Sequence, residues 1–253
     1  MRSLLMDVGN SRIKWGVLER GEIRRTGHIA QDRIRDRGLQ VLTTRIPHDV
    51  DRVFVSNVAG NAFATRLSGV VGMHCDCDVR FAHTGRNGWG VTNGYKQPRR
   101  MGVDRWVALV GAWGELHAAC LVVDAGTAIT IDAIDQAGRH LGGQIIAGVE
   151  MMMRALSSST SDIPSVKGSP RGGDGDLHLF ATSTADAVRE GARNAAAGAV
   201  DRAFRALQSN AYDPVLVLTG GDASRILNAL CDTPLHRPHL VLQGLATMLD
   251  NPR

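Results

Sequence analysis

Two aspartates, Asp7 and Asp124, each follow a short apolar run and precede a glycine two positions later, Gly9 and Gly126. This pattern predicts a strand that ends in a tight hairpin, with the carboxylate near the tip and the glycine free to adopt a positive φ angle. Such a tip can present backbone N–H groups to a phosphate while the carboxylate holds a hydrated metal ion. The first hypothesis is therefore phosphate and metal chemistry, performed by two related turns.

A third glycine-rich turn, Thr219-Gly-Gly-Asp222, follows a buried-strand pattern late in the chain, and Lys14 adds a positive charge near the first turn. Phosphate binding requires a closely approaching backbone and charge neutralisation, which glycines, carboxylates and a lysine supply. The sequence contains neither G-x-x-x-x-G-K-[ST] nor a G-x-G-x-x-G that follows a strand. It therefore excludes a P-loop or Rossmann site, and a nucleotide must be held in another way.

Asp104 and Arg105 lie at the expected start of a helix, after a Gly-, Asn- and Arg-rich segment, 83–101, that contains Tyr95. A carboxylate at this position could accept the proton of a substrate hydroxyl, and Arg105 could bind a substrate carboxylate. The alternative is a helix-opening acid with a surface ion pair. We interpret residues 83–101 as a functional loop, and the position of Tyr95 in this loop favours a role in ligand contact.

Two similar series of elements position these residues. In the first half, strands are predicted at 4–7, 13–18, 22–28, 53–56 and 79–82, and helices at 31–44, 61–70 and 102–114. In the second half, strands are predicted at 120–124, 128–134, 140–146, 215–219 and 239–242, and helices at 149–156, 184–208 and 223–230. A Ser-, Gly- and Pro-rich surface loop is predicted at 157–183. The sequence therefore predicts two copies of one α/β unit, at residues 1–117 and 118–253.

Composition limits the possible partners. Hydrophobic residues make up 43% of the 253 positions and charged residues 21%, which is typical of a globular protein with a sizeable core. The formal net charge is +4, and the arginines at 20–37 are interleaved with acidic residues and accompanied by no aromatic residue. A salt-bridged surface is favoured there over a nucleic-acid site.

The cysteines and the apolar runs indicate a compartment. The four cysteines, Cys75, Cys77, Cys120 and Cys231, follow no zinc or disulfide spacing, so we interpret them as buried thiols. No apolar run approaches the ~20 residues that span a bilayer, and the first residues do not resemble a signal peptide. We expect a cytoplasmic protein that does not enter a membrane.

In this order, the three turns resemble those of the actin-like ATPase superfamily. Together with Gly102-Val-Asp104-Arg105, Gly142-Gly-Gln-Ile145 and Ser183-Thr184, they resemble the type III pantothenate kinase family across nearly the whole chain. The resemblance implies an α/β fold of two duplicated ribonuclease H-like lobes, with mixed sheets flanked by helices. It also implies ATP-dependent phosphorylation of pantothenate to 4′-phosphopantothenate, the first step of coenzyme A biosynthesis.

The resemblance also implies roles for residues. Asp104 would be the general base, Asp124 would bind a monovalent cation (K⁺ or NH₄⁺), and Asp7 would hold the Mg²⁺ of Mg-ATP, through water. ATP would be bound by Asp7, Val8, Gly9, Asn10, Ser11, Arg12, Ile13, Lys14 and Thr127. Pantothenate would be bound by Tyr95, Gly102, Val103, Asp104, Arg105 and Thr184. A homodimer is implied, in which the partner could supply Thr184.

Two alternatives stay open, and three positions depart from the family pattern. The alternatives are a regulatory accessory factor that binds nucleic acid or protein, and another small-molecule kinase of the same fold. Ala147 replaces a common proline, which should loosen the turn and leave the chemistry intact. Ser11 replaces the more usual threonine and keeps the hydroxyl group. Ser183 replaces a common asparagine and can still cap a helix.

Overall fold

The computed structural model describes residues 1–160, 163, 165–166 and 179–250. These residues divide into two compact units. One unit contains residues 1–117 and the chain from His239 onward, and the other contains residues 118–238. None of the helices in the described ranges is long and apolar enough to cross a membrane.

Single strands and groups of strands are separated by helices along the chain. The strands are β1 (Arg2–Val8), β2 (Arg12–Glu19), β3 (Glu22–Ala30), β4 (Arg52–Asn57), β5 (Val79–Phe81), β6 (Asn87–Gly88), β7 (Val91–Thr92), β8 (Cys120–Ala125), β9 (Ala128–Ile134), β10 (His140–Ala147), β11 (Val215–Thr219) and β12 (Leu235–His236). The helices are α1 (Gln31–Arg37), α2 (Asn61–Cys75), α3 (Val103–Leu116), α4 (Val149–Ser159), α5 (Thr184–Ser209) and α6 (Leu240–Asp250).

Each unit contains one five-stranded mixed sheet, and the two sheets share one strand plan. The first sheet has the order β3-β2-β1-β4-β5 and the second β10-β9-β8-β11-β12. In both sheets the first three strands are antiparallel and the last two continue parallel to the central strand. The predicted α/β class with duplicated mixed sheets and flanking helices is confirmed.

The central strand β1 of the first sheet is buried on both faces. Leu4, Met6 and Val8 of β1 alternate along the strand and pack with Leu67 and Val71 of α2 in one core cluster. Leu5 is also completely buried, on the opposite side of the same strand. Near-continuous burial of this kind is expected for the central strand of a mixed sheet.

Helices α3 and α6 make an unusually close contact in the first unit. A Cβ atom at Gly244 would overlap the carbonyl oxygen of Val107 and lie 2.8 Å from its carbonyl carbon. On the facing helix, a Cβ atom at Gly111 would lie 2.9 Å from the Gly244 nitrogen. These two glycines therefore allow the helix backbones to touch, which no larger residue could do without a shift.

The second unit is built around the long helix α5. Ser183 caps this helix, because its Oγ accepts a hydrogen bond from the Asp186 backbone N–H. The residues at Val188, Ala192, Ala196 and Val200 recur every four positions and join one core cluster with β8, β9 and β11. The small alanines let α5 pack closely on the sheet.

Several elements differ from their predictions. The predicted strand at 239–242 is wrong, since α6 begins at Leu240 and packs against α3 and β1 in the first unit. The apolar run Leu240-Val-Leu242 suits either structure, and the surface of α3 selects the helix. The predicted helix at 223–230 is wrong as well, because two short 3-10 turns occur there. The helix predicted at 31–44 ends at Arg37, because Gly38 has a φ of +75°.

The glycines of the two Asp-x-Gly turns also differ from expectation. The positive-φ glycines include Gly21 and Gly138, in the second turn of each repeat, but neither Gly9 nor Gly126. The expectation that Gly9 and Gly126 adopt a positive φ is therefore wrong. Most of the loop predicted at 157–183 lies outside the described residues.

All four cysteines are free thiols. Burial raises the pKa of Cys120 to about 12 and that of Cys75 to about 11. Both are therefore inert, neutral side chains at ordinary pH. The interpretation as a buried thiol is wrong for Cys231, which is exposed.

Candidate functional site

The first Asp-x-Gly turn is a rigid tip between β1 and β2. The Gly9 N–H donates to the Arg12 carbonyl at 3.0 Å, and this tight closure places a Cβ atom at Gly9 only 3.2 Å from the same oxygen. Gln31 fastens the tip from outside, with its side-chain Nε2 donating to Gly9 O and its backbone N–H to Ser11 O, both at 2.9 Å. Asn10 and Ser11 are left exposed at the end of the hairpin.

Within the predicted phosphate segment, the side chains fall into two groups. Val8 and Ile13 are completely buried, so only their backbone groups could reach a ligand. Asp7 and Lys14 are half-buried and lie directly opposite each other in the β1–β2 ladder. Directly opposite residues project on the same face, so the side chains of Asp7 and Lys14 leave the same face of the hairpin.

His239 also lies near Lys14, although the sequence pattern did not single it out. The pKa of His239 is lowered, first because its ring is partly desolvated and second because of the positive charge of Lys14. The sequence pattern did not single out Gln31 either. Gln31 and His239 both approach the hairpin from other parts of the chain, and no local motif predicts such an approach.

The second unit brings its two glycine turns together. The Asp222 N–H donates to Ala125 O at 2.9 Å, and a Cβ atom at Gly220 would lie 2.5 Å from Oδ1 of Asp124. Gly220 has a φ of +102°. The third turn therefore crosses directly over the carboxylate of the second turn, and only glycine fits at the crossing.

A close backbone approach also shapes the tip that carries Thr127. The Gly148 N–H donates to Thr127 O at 3.0 Å, and a Cβ atom at Gly148 would lie 2.6 Å from that oxygen. Thr127 itself is exposed, while Asp124 is half-buried. Thr127 is thus accessible from solvent, and Asp124 is partly accessible.

Asp104 lies in the first turn of α3, where the helix dipole favours a negative charge. Its Oδ1 accepts a hydrogen bond from the Arg105 backbone N–H at 2.8 Å. A Cβ atom at Gly102 would lie 2.6 Å from the same oxygen, so Gly102 leaves room for the carboxylate. Val103, like Asp104, is half-buried at the start of the helix.

Arg105 points back toward the loop that precedes α3. It is only 6% exposed, and its Nη1 donates to the Tyr95 hydroxyl at 2.7 Å. The guanidinium carbon also lies 5.4 Å from the centroid of the Tyr95 ring, within cation–π range. The structure therefore brings Tyr95, Gly102, Asp104 and Arg105 together in one cluster.

Thr184 is separate from that cluster in the chain, because it is the first residue of α5 in the second unit. It is exposed and directly follows the capping residue Ser183. Its backbone N–H is among those that a helix leaves without an intrahelical partner.

The carboxylates suit oxygen-preferring cations bound jointly with phosphate. No group of three or more His, Cys, Asp or Glu side chains in the described ranges could form a metal site alone. Mg²⁺ commonly uses one or two carboxylates together with water and nucleotide phosphates. Asp7, beside Lys14 on an exposed hairpin, fits that requirement, and Asp124 could serve a second cation.

Comparison with known proteins identifies a matching protein family. A family model described as type III pantothenate kinase matches residues 3–206. A type III pantothenate kinase from Azoarcus sp. (strain BH72) is 39% identical over 246 residues, which cover 97% of this chain and 89% of the relative.

Solved structures are similar in fold over the whole chain. A Campylobacter jejuni protein named as a Baf family transcriptional activator has a TM-score of 0.60 at 22% identity, covering 98% of both chains. A Listeria monocytogenes protein named as an N-acetylmannosamine kinase has a TM-score of 0.52 at 16% identity, covering 99% of both chains. At such low identities these likenesses show the fold alone.

Proposed function

Because this chain belongs to the type III pantothenate kinase family, we propose that it transfers the γ-phosphoryl group of ATP to the 4′-hydroxyl of pantothenate. The product is 4′-phosphopantothenate, the first intermediate of coenzyme A biosynthesis. The observation that carries this proposal is the family match across residues 3–206. The cluster of Asp104, Arg105 and Tyr95 supports it with a base beside a buried cation.

We assign the phosphate side of the reaction to the two hairpin tips. The backbone of residues 8–13, the Asp7–Lys14 pair and Thr127 would bind ATP, with Asp7 holding Mg²⁺ through water. When bound, the metal neutralises charge on the phosphates. Lys14 lies opposite Asp7 and would add a second positive charge where negative charge develops.

The acceptor side is assigned to the start of α3. Asp104 would orient the pantothenate hydroxyl and accept its proton while the oxygen bonds to the γ-phosphorus and ADP departs. Arg105 would pair with the pantothenate carboxylate, and Tyr95, Gly102 and Val103 would contact the same substrate. Thr184 is a further candidate contact for pantothenate. The buried guanidinium supports this role, since a buried cation commonly requires an anionic or polar partner.

Removing the carboxylate of Asp124 tests the cation assignment. We expect Asp124→Asn to abolish any stimulation of turnover by K⁺ or NH₄⁺, because the neutral amide binds a hard cation more weakly. Initial rates over a KCl series with constant ionic strength measure this effect. Asp36→Asn, an exposed acid on α1, is the matched control. Equal K⁺ stimulation in Asp124→Asn and the wild type would contradict the assignment.

We also propose a homodimer in the cytoplasm. Leu141 and Ile145 support the dimer, because they are 44% and 62% exposed on the edge strand β10, where a second copy could cover them. Sedimentation equilibrium would measure the oligomeric state. Free thiols support a reducing compartment.

A substrate panel tests the function as a whole. Purified protein with Mg-ATP and KCl is given pantothenate, sugars including N-acetylmannosamine, or no acceptor, and ADP release is measured. ADP release that requires pantothenate, with 4′-phosphopantothenate identified by mass spectrometry, is the expected result. ADP release with a sugar alone would indicate another kinase of this fold. Salt-dependent DNA binding without ADP release would favour the regulatory alternative.

A further inference from the structure

The loop between β5 and α3 is held together by one buried amide. Asn93 is 1% exposed, and its Nδ2 donates to Gly85 O at 3.2 Å and to Pro98 O at 3.4 Å. Its Oδ1 accepts a hydrogen bond from the Tyr95 backbone N–H at 2.9 Å. A single side chain thus connects the beginning, the middle and the end of the loop.

Arg86 ties down the same segment from the other side. Its Nη1 donates to Asn93 O at 3.0 Å and to Tyr95 O at 2.9 Å, and its Nη2 donates to Lys96 O at 3.2 Å. The planar guanidinium has a fixed donor geometry, so it constrains the positions of these three carbonyl groups along the segment.

The fastened segment ends at the acceptor cluster. The Tyr95 backbone N–H donates to Asn93 and its carbonyl accepts from Arg86, while its hydroxyl accepts a hydrogen bond from the Arg105 guanidinium at 2.7 Å. Thr84 Oγ1 donates to Met101 O at 3.1 Å, which fixes the loop at the entry to α3. Any shift of the Tyr95 backbone is therefore transmitted to the Arg105 side chain.

We infer that Asn93 and Arg86 are positioning residues that set the acceptor-binding end of the site by holding Tyr95 against Arg105. The inference deepens the proposed function and rests on it, because Arg105 is the group assigned to the pantothenate carboxylate. Neither positioning residue needs to touch the substrate. Both act through Tyr95, and the ATP-binding hairpins do not depend on them.

Kinetics of Asn93→Ala and Arg86→Met in the full chain test this inference. We expect the KM for pantothenate to rise about 10-fold or more, since small misplacements of binding groups are costly, while the KM for ATP stays within about 2-fold of wild type. In a Tyr95→Ala background, adding Asn93→Ala should have little further effect, because the two residues act as one unit. Thr92→Ala, an exposed neighbour on β7, is the matched control and should behave as wild type.

Hydrogen–deuterium exchange provides a readout that needs no substrate. Asn93→Ala should speed exchange in 94–101 and leave β8 to β11 unchanged, because only the loop loses its connections. Unchanged exchange in 94–101, or an equal rise in both KM values, would overturn the inference. If the wild type fails to phosphorylate pantothenate, the proposed function fails, and the exchange result still decides whether Asn93 holds the loop.

Discussion

Replacing Asp104 by Asn should lower kcat for pantothenate phosphorylation by about 100- to 10,000-fold, the range that general acid–base catalysis commonly contributes. The amide cannot accept the hydroxyl proton, yet its oxygen can still accept the Arg105 backbone N–H that Asp104 binds at 2.8 Å. The start of α3 should therefore keep its structure. The KM for ATP should change little, because the phosphate-binding hairpin is a separate element.

Steady-state kinetics with both substrates, together with a thermal melt, measure these effects. The control is Asp36→Asn, which makes the same chemical change at an exposed position of α1 and should retain wild-type kcat. A wild-type kcat for Asp104→Asn would show that the base is another group. A much lower melting temperature would instead assign Asp104 the structural role of a helix-opening acid.

The largest expected effect on stability is at Gly244, where α6 meets α3. Gly244→Ala should lower the free energy of unfolding by about 3 kcal/mol, since overpacking a close contact typically costs 1–3 kcal/mol and sometimes more. The added Cβ would overlap the Val107 carbonyl oxygen and lie 2.8 Å from its carbon. Both atoms belong to the helix backbone, so no side chain can move aside and α6 itself must shift.

Gly69→Ala is a matched control in the interior of α2, because a Cβ atom there would meet nothing within 4 Å. It should stabilise the protein by about 0.5–1 kcal/mol, since alanine favours a helix over glycine. Urea denaturation followed by circular dichroism compares the two variants. A urea midpoint for Gly244→Ala equal to, or above, that of the wild type would contradict the close-contact interpretation.

The local patterns of the chain predicted most of the elements around the site. Alternating and continuous apolar runs located β1, β2 and β8. The start of α3 and the cap at Ser183 were also predicted from neighbouring residues. Hairpins, caps and helix starts depend on hydrogen bonds between residues close in sequence, so a short window contains the necessary information.

Other features depended on residues far apart in the chain. The run at 239–242 became helical because α3 presents a glycine surface to it, about 130 residues earlier in the sequence (Gly111 and Leu240). Gly9 and Gly126 were expected to supply unusual φ angles, whereas Gly9 closes its turn by close backbone approach. Asn93 and Arg86 were not predicted, because their partners become apparent only once the loop is folded.

By itself, the sequence determined the duplication of one α/β unit, the two carboxylate turns and the family to which they point, because each is encoded by residue type and short spacing. Only the tertiary structure decided that Tyr95 lies on Arg105, that Gly220 crosses over Asp124, and that Gln31 fastens the tip at Gly9. These contacts join distant segments. Their geometry follows from packing and from the satisfaction of buried polar groups across the whole unit, which no local pattern contains.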